Sequence, residues 1–309
     1  CGGCDLQHVA PQAHASLKEA VVREQLTRLA RLSPAQVQAL AVRVEPLPGG
    51  PLRWRSRLRY TVDGSGRPGL LGYRSHEVVP VDRCHIAHPA LQPADRPWRP
   101  GEEVSMVASS AGDVVVAGSV SGRVRGPAAV RERVIGREWT LPAEAFWQVH
   151  PAAPDALAGA VLDQLRPEPT EAAWDLYGGA GLFAAALAPR VASVVLVESD
   201  RLAVGAARES LADLTNVHIV RSTVERFRYR DRPDLVVLDP PRSGAGAAVV
   251  RTIATACRRA VSYVSCDPAS FARDVASFAG HGWRLAALRC FDAFPMTHHV
   301  ELVGLLTPA

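Results

Sequence analysis

The chain has 309 residues, 48% of them hydrophobic and 21% charged, with a formal net charge of +4 carried almost entirely by arginine. That length allows two domains, no apolar run approaches the ~20 residues of a membrane helix, and nothing at the start reads as a signal peptide. The mild basic excess permits phosphate contacts without requiring them. Six cysteines, at positions 1, 4, 84, 257, 266 and 290, are too scattered for a disulfide framework. A reducing cytoplasm is therefore expected, with thiols kept for metal or chemistry. The chain opens on Cys1 rather than Met, and residues are expected to precede it.

In chain order, residues 15–31 read as a helix with Leu17, Val21, Leu26 and Leu29 roughly on one side. Residues 50–150 carry short strand candidates punctuated by Gly and Pro, which describes a small β-rich domain. Within it, the alternation of "RWRSRLRY" predicts a strand with Arg53, Arg55, Arg57 and Arg59 on one face. Trp54, Leu58 and Tyr60 fall on the other. Such a basic face suits a phosphate backbone, and is equally the solvated face of a sheet.

From Pro151 the pattern changes. Strands are predicted at 172–177, 191–199, 216–222, 233–239 and 260–265, with helices at 201–214, near 246–258 and from Pro268 to about Gly280. Two further strands, "WRLAALRCFD" and "HVELVGLLT", are joined by a loop with no helix. Alternating β and α implies a parallel sheet covered on both faces, and the terminal pair implies one antiparallel strand. The layout resembles the class I methyltransferase fold.

Five features carry chemistry. "DLYGGAG" is a strand followed by a turn in which Gly178, Gly179 and Gly181 let the backbone approach a ligand. Glu198 ends the next strand, where a carboxylate can accept ribose hydroxyls. By this motif alone, a nicotinamide dinucleotide and S-adenosylmethionine both remain open. "LDPPRSG" then puts Asp239 at a strand end, stiffened by two prolines. Cys266 ends the next strand just before a Pro-initiated helix, where the helix start favours a thiolate. Glu301 lies on the last strand. A thiolate and a carboxylate near a methyl donor suggest addition to carbon 6 of uracil, which makes carbon 5 nucleophilic, followed by removal of the carbon 5 proton.

These residues, together with "CGGCDLQH", Cys84, "FWQVH", "YVSCDP" and "FPMTHHVE", resemble the RNA uridine-5 methyltransferase family in order and along nearly the whole chain. The resemblance implies Cys266 as nucleophile and Glu301 as proton acceptor. It implies that Gln148, Tyr177, Glu198 and Asp239 bind S-adenosylmethionine or border the target uracil, beside Gly179 and Gly181. It also implies an RNA partner, ribosomal or transfer, whose uridine leaves its stack to reach Cys266. Cys1, Cys4 and Cys84 resemble part of the family's four-thiolate site for a [4Fe–4S] cluster, with the fourth ligand upstream. A zinc site completed by His8, His85 or His88 competes with it. The expected organisation is a cysteine-motif segment at 1–14, a helical segment at 15–45, a β-rich RNA-binding domain at 46–145 and a catalytic domain at 146–309. The chain departs from the family at Gly178, at Asp267 beside the nucleophile, and at Met296. Two alternatives stay open: an amino-group methyltransferase on a purine, and a catalytically decayed RNA-binding iron–sulfur protein.

Overall fold

A computed structural model describes residues 1–91, 96–229 and 231–309. The elements run α1 (Pro11–Arg28), α2 (Pro34–Ala39), β1 (Val44–Pro46), β2 (Arg57–Val62), β3 (Pro68–Leu71), β4 (Val78–Pro80), β5 (Glu103–Ala108), β6 (Val114–Gly118), β7 (Gly122–Arg125), β8 (Ala129–Val134) and β9 (Arg137–Pro142). They continue with α3 (Ala153–Leu165), β10 (Ala172–Leu176), α4 (Leu182–Leu187), β11 (Ser193–Glu198), α5 (Arg201–Ser210), β12 (Val217–Arg221), β13 (Leu235–Leu238), α6 (Gly246–Ala256), β14 (Ala260–Ser265), α7 (Pro268–Ala279), β15 (Trp283–Asp292) and β16 (Glu301–Pro308). The chain divides into two compact units, each assembled from separate stretches. One comprises Cys1–His14, Pro48–Ala153 and Phe294–His298, and the other Ala15–Leu47, Pro154–Ala293 and His299–Ala309.

The second unit is built on an eight-stranded sheet in the order β1-β15-β16-β14-β13-β10-β11-β12. Its pairings are parallel except for β16, which runs antiparallel to both β14 and β15. Every residue of β13 and β14 is buried. A parallel strand covered on both faces has to be apolar throughout, which is why "LVVL" shows no alternation. The order reverses at the β10–β13 boundary, the switch point beside which open α/β sheets bind ligands at the carboxyl ends of their strands. The three-residue β1 extends the sheet beyond β15 and had no strand signal of its own.

In α1 the buried face differs from the expected one. Leu17 and Val21 are exposed, whereas Lys18, Val22 and Leu26 are buried at successive i,i+4 positions. Lys18 belongs there because its ammonium meets Asp292, at the end of β15, at 2.6 Å. Ser33 starts α2 through a capping box with Gln36, and Pro34 takes the first turn. Cys257 lies just past the last residue of α6. It closes α6, buried, with its thiol donating to the carbonyls of Asp234 and Ala260. Cys290 is buried in β15.

The first unit holds a six-stranded antiparallel sheet, β4-β3-β2-β5-β6-β7, and the separate β8–β9 hairpin. Its core gathers Leu58, Tyr60, Val62, Met106 and Val116. The four-arginine strand face does not form. Arg53 has a left-handed φ of 64°, and the strand begins only at Arg57. The Arg55 Nε donates to the Arg57 carbonyl. The Arg57 guanidinium donates to the carbonyls of Ala143 and Ala145 and pairs with Glu132. These two arginines satisfy buried carbonyls and a carboxylate, and only Arg53 and Arg59 remain outward.

Candidate active site

The glycine turn follows β10 directly. Tyr177, Gly179 and Gly181 adopt φ values of 59°, 54° and 89°, so the chain turns through left-handed backbone at three of five positions. A side chain at Gly178 would place its Cβ 2.7 Å from the Leu196 Cγ, and one at Gly181 2.5 Å from the Leu211 Cδ1. The turn closes with Gly181 N–H donating to the Gly178 carbonyl at 2.8 Å. Glu198 ends β11 with its Oε2 accepting the Gly179 N–H at 3.0 Å. Its Oε1 accepts the Asp200 N–H at 2.7 Å. The carboxylate is thus aimed by backbone donors beside the turn: Oε1 also accepts the Ser199 N–H and hydroxyl, and Oε2, with Gly179 as its one donor, keeps a lone pair for a ligand. The Tyr177 hydroxyl donates to Glu225 at 3.4 Å, and burial raises its pKa.

Asp175, within β10, drew no role from the sequence, although a carboxylate inside an apolar strand is a signal in itself. It is fully buried, accepts the Ala184 N–H at 2.8 Å on one oxygen, and has no partner on the other. Burial, with Asp239 and Glu198 nearby, lifts its pKa to about 7.

Asp239 follows β13, Cys266 follows β14, and Glu301 opens β16. The antiparallel register pairs Ser265 with Leu302, so one step further Cys266 comes opposite Glu301. Cys266 is half-buried and reachable, whereas Glu301 is 2% exposed. Burial pushes the Cys266 thiol up to about 11; Glu301 and Asp239 add to the rise, and the charge and hydrogen bond of Arg242 oppose it. Glu301 is itself held well above the usual carboxylate range by burial and by Asp239. Burial also raises Asp239. Arg242, from the turn after Pro240 and Pro241, is the cation among these groups, and its motif alone gave it no role. The turn is pinned from behind. Asp274 accepts the Tyr263 hydroxyl at 2.6 Å and the Ala245 N–H at 2.7 Å.

The other expected site residues lie in the first unit. Gln148 is half-buried between β9 and α3. Cys1 is exposed, and Cys4 and Cys84 are half-buried. Burial raises the Cys4 thiol, and the neighbouring Cys84 adds to it. Among the described residues, no group of three or more His, Cys, Asp or Glu converges to hold a metal ion. No helix among them is long and apolar enough to cross a membrane.

The chain is similar to known proteins in sequence and in fold. Residues 144–308 match the family model described as tRNA (uracil-5-)-methyltransferase. An RNA methyltransferase of Streptomyces avermitilis is 40% identical over 100% of this chain and 81% of its own length. The 23S rRNA (uracil(1939)-C(5))-methyltransferase RlmD of Pseudomonas fluorescens is 29% identical over 99% of this chain and 78% of its own. Among solved structures, the Pyrococcus abyssi tRNA (uracil-54, C5)-methyltransferase in complex with S-adenosyl-L-homocysteine superposes with a TM-score of 0.78. It is 22% identical, over 99% of this chain and 86% of that one, and shares the α/β methyltransferase fold with an additional antiparallel sheet. The chain belongs to the tRNA (uracil-5-)-methyltransferase family and is an S-adenosylmethionine-dependent RNA uracil-5 methyltransferase.

Proposed function

We propose that the chain methylates carbon 5 of a uridine in ribosomal or transfer RNA through a covalent bond to Cys266. The observation that carries this reading is the meeting of Cys266, Glu301, Asp239 and Arg242 at the carboxyl edge of the sheet. S-adenosylmethionine supplies an electrophilic methyl group. The residues that would hold it are Gly179, where a side chain would meet nothing within 4 Å, and Gly181, which lets the turn close against Leu211, with Glu198 for ribose hydroxyls and Tyr177 beside the turn. Their fit rests on the left-handed turn and the backbone-aimed carboxylate.

The steps for the chain's own residues follow. The Cys266 thiol gives its proton to water, and Arg242 stabilises the thiolate that forms. The thiolate adds to carbon 6 of uracil, making an S–C bond, while the carbon 5–carbon 6 π pair moves to carbon 5 and the carbonyl at carbon 4. Carbon 5 spends that pair on the methyl group, the sulfonium–methyl bond would break with its electrons staying on sulfur, and S-adenosylhomocysteine would be the leaving group. The Glu301 carboxylate then removes the carbon 5 proton, the double bond re-forms, and the Cys266 thiolate leaves. A raised Glu301 pKa suits a base, because basicity follows proton affinity. A high thiol pKa suits a nucleophile that is inert until its charge is compensated.

Asp239 is read as a contact to the uracil edge, and Gln148 as a residue that binds cofactor or borders the base. Arg53 and Arg59, which stay outward, are read as phosphate contacts. For the cysteine motif, Cys4 and Cys84 support a thiolate site, but three thiols fall short of the four that hold a four-iron cluster. No catalytic step is routed through it. Six free cysteines suit a reducing cytoplasm.

The test is a transcript carrying 5-fluorouridine, incubated with protein and S-adenosylmethionine. Fluorine at carbon 5 blocks the last proton removal, so a denaturant-resistant protein–RNA band is expected, and it should vanish in C266S. No band on any ribosomal or transfer RNA would sink the covalent reading. Sequencing the trapped RNA identifies the target.

A further inference from the structure

One polar contact of the site has no part in those steps. An Arg242 Nη2 nitrogen lies 3.3 Å from the His299 Nε2. Arginine can only donate, and stays protonated throughout the working pH range. For the two nitrogens to share a hydrogen bond, Nε2 must therefore carry a lone pair, which places the imidazole proton on Nδ1. An imidazolium would present an N–H to a guanidinium, and the contact would become a repulsion.

We propose that His299 is a positioning residue that acts through Arg242: its neutral Nδ1–H tautomer holds the guanidinium against the Cys266 thiol, and protonation of the ring releases it. The proposal rests on the covalent reading of the site and deepens it. The charged groups around this contact are Asp239 and Arg242 from the turn after β13, Cys266 after β14, and Glu301 two residues further along the chain. The neighbouring imidazole, His298, is turned to Asp5 instead, at 2.6 Å. The two imidazoles are adjacent in the chain, so substitution of each tells them apart.

The geometry has a direct chemical consequence. Glu301 and Asp239 oppose ionisation of Cys266, and Arg242 is the group that favours it. An arginine side chain is long and rotamer-rich, so its effect on the thiol depends on what fixes its far end. His299 is half-buried two residues before the proposed base and supplies that fixture. One short segment thereby delivers both the base and the support of the cation.

The experiment uses the full chain and two readouts. The first is methyl transfer to total RNA as a function of pH. The second needs no RNA: iodoacetamide modification of Cys266, followed peptide by peptide in a mass spectrometer. H299A should lose about tenfold in kcat, the scale of one charge-assisted hydrogen bond, with KM for S-adenosylmethionine unchanged. Its Cys266 should also alkylate more slowly than in the wild type. H299Q places an uncharged acceptor near the Nε2 position and should recover most of that loss. Because glutamine does not titrate, the acid-side fall in activity should flatten in H299Q and persist in H298Q. Equal activity of H299A and wild type overturns the proposal, as does equal damage in H299A and H299Q. Should H299A fail to fold, an unchanged acid limb in H299Q overturns it alone. Failure of the covalent reading shows separately, as absence of the fluorouridine adduct in the wild type, while the alkylation series still reports whether His299 supports Arg242.

Discussion

The Asp267 carboxylate, one residue past the proposed nucleophile Cys266, accepts the backbone N–H of Ser270 at 2.7 Å. Its φ and ψ of −130° and 109° are those of a helix N-cap, and Pro268 occupies the next position. The negative charge beside the thiol, the most consequential departure from the family pattern, is thus committed to starting α7. The carboxylates that raise the Cys266 thiol are Glu301 and Asp239. D267N keeps a capping oxygen, and its kcat should stay within about twofold of wild type, since asparagine and aspartate cap nearly alike. D267A removes the cap and should cost about 1 kcal/mol of stability, read by urea denaturation. A large gain of activity in D267N would show that the charge does reach the thiol.

Cys266 should behave as a sluggish thiol in the free protein. Burial raises its pKa to about 11 against an ordinary 9.0, so the thiolate fraction at neutral pH is lower than in an unfolded chain. Its alkylation rate should climb with pH toward about 11 rather than levelling near 9.0. Replacing Arg242 with Met should move the midpoint further up, and E301Q should move it down. A midpoint at or below 9.0 in the wild type would contradict that burial.

Asp175 makes stability depend on pH in a definite direction. Its carboxyl goes from an ordinary 3.8 in the unfolded chain to about 7 in the folded one. The folded state therefore holds the proton more tightly, and the contribution is intact below pH 3.8 and is lost as pH rises through about 7. D175N keeps an acceptor for the Ala184 N–H and cannot ionise. It should stabilise the protein at pH 8, by an amount on the order of a few kcal/mol, and change little at pH 3.5. Denaturant midpoints at the two pH values decide it, and equal effects at both would refute the assignment.

Leu196 leaves no room for a side chain at Gly178. A Cβ at 178 would sit 2.7 Å from the Leu196 Cγ and 3.1 Å from the Asp175 Cγ. G178C should cost about 1–3 kcal/mol by overpacking. L196A should relieve part of that cost, giving a coupling that a double-mutant cycle measures directly. Additive effects would mean that the two positions do not meet.

Much of the second unit was legible because its strands carry strong local signals. The fully apolar β13, the short run of β14, the Gly-rich turn after β10, and Asp239, Cys266 and Glu301 at strand ends follow from periodicity and turn chemistry alone. The strand ends landed within a few residues because Gly, Pro and Asp mark where the backbone must turn. Other features were not legible. The alternating arginines of 53–59 look like one face, yet Arg57 turns to Glu132, 75 residues away in sequence, and to the carbonyls of Ala143 and Ala145. Lys18 reads as the polar side of a helix until Asp292, 274 residues on, gives it a buried partner.

The sequence by itself determined the alternating β/α order, the family, and which residue types stand at the edge of the sheet, since short-range spacing encodes each of these. Tertiary structure alone decided which charges face one another. The antiparallel insertion of β16 between β14 and β15 brings Glu301 opposite Cys266, and the turn after β13 brings Arg242 to both. It also decided that the Asp267 charge goes to a helix cap and that His299 faces a guanidinium. Electrostatic pairing depends on distances across the fold, and spacing along the chain does not contain them.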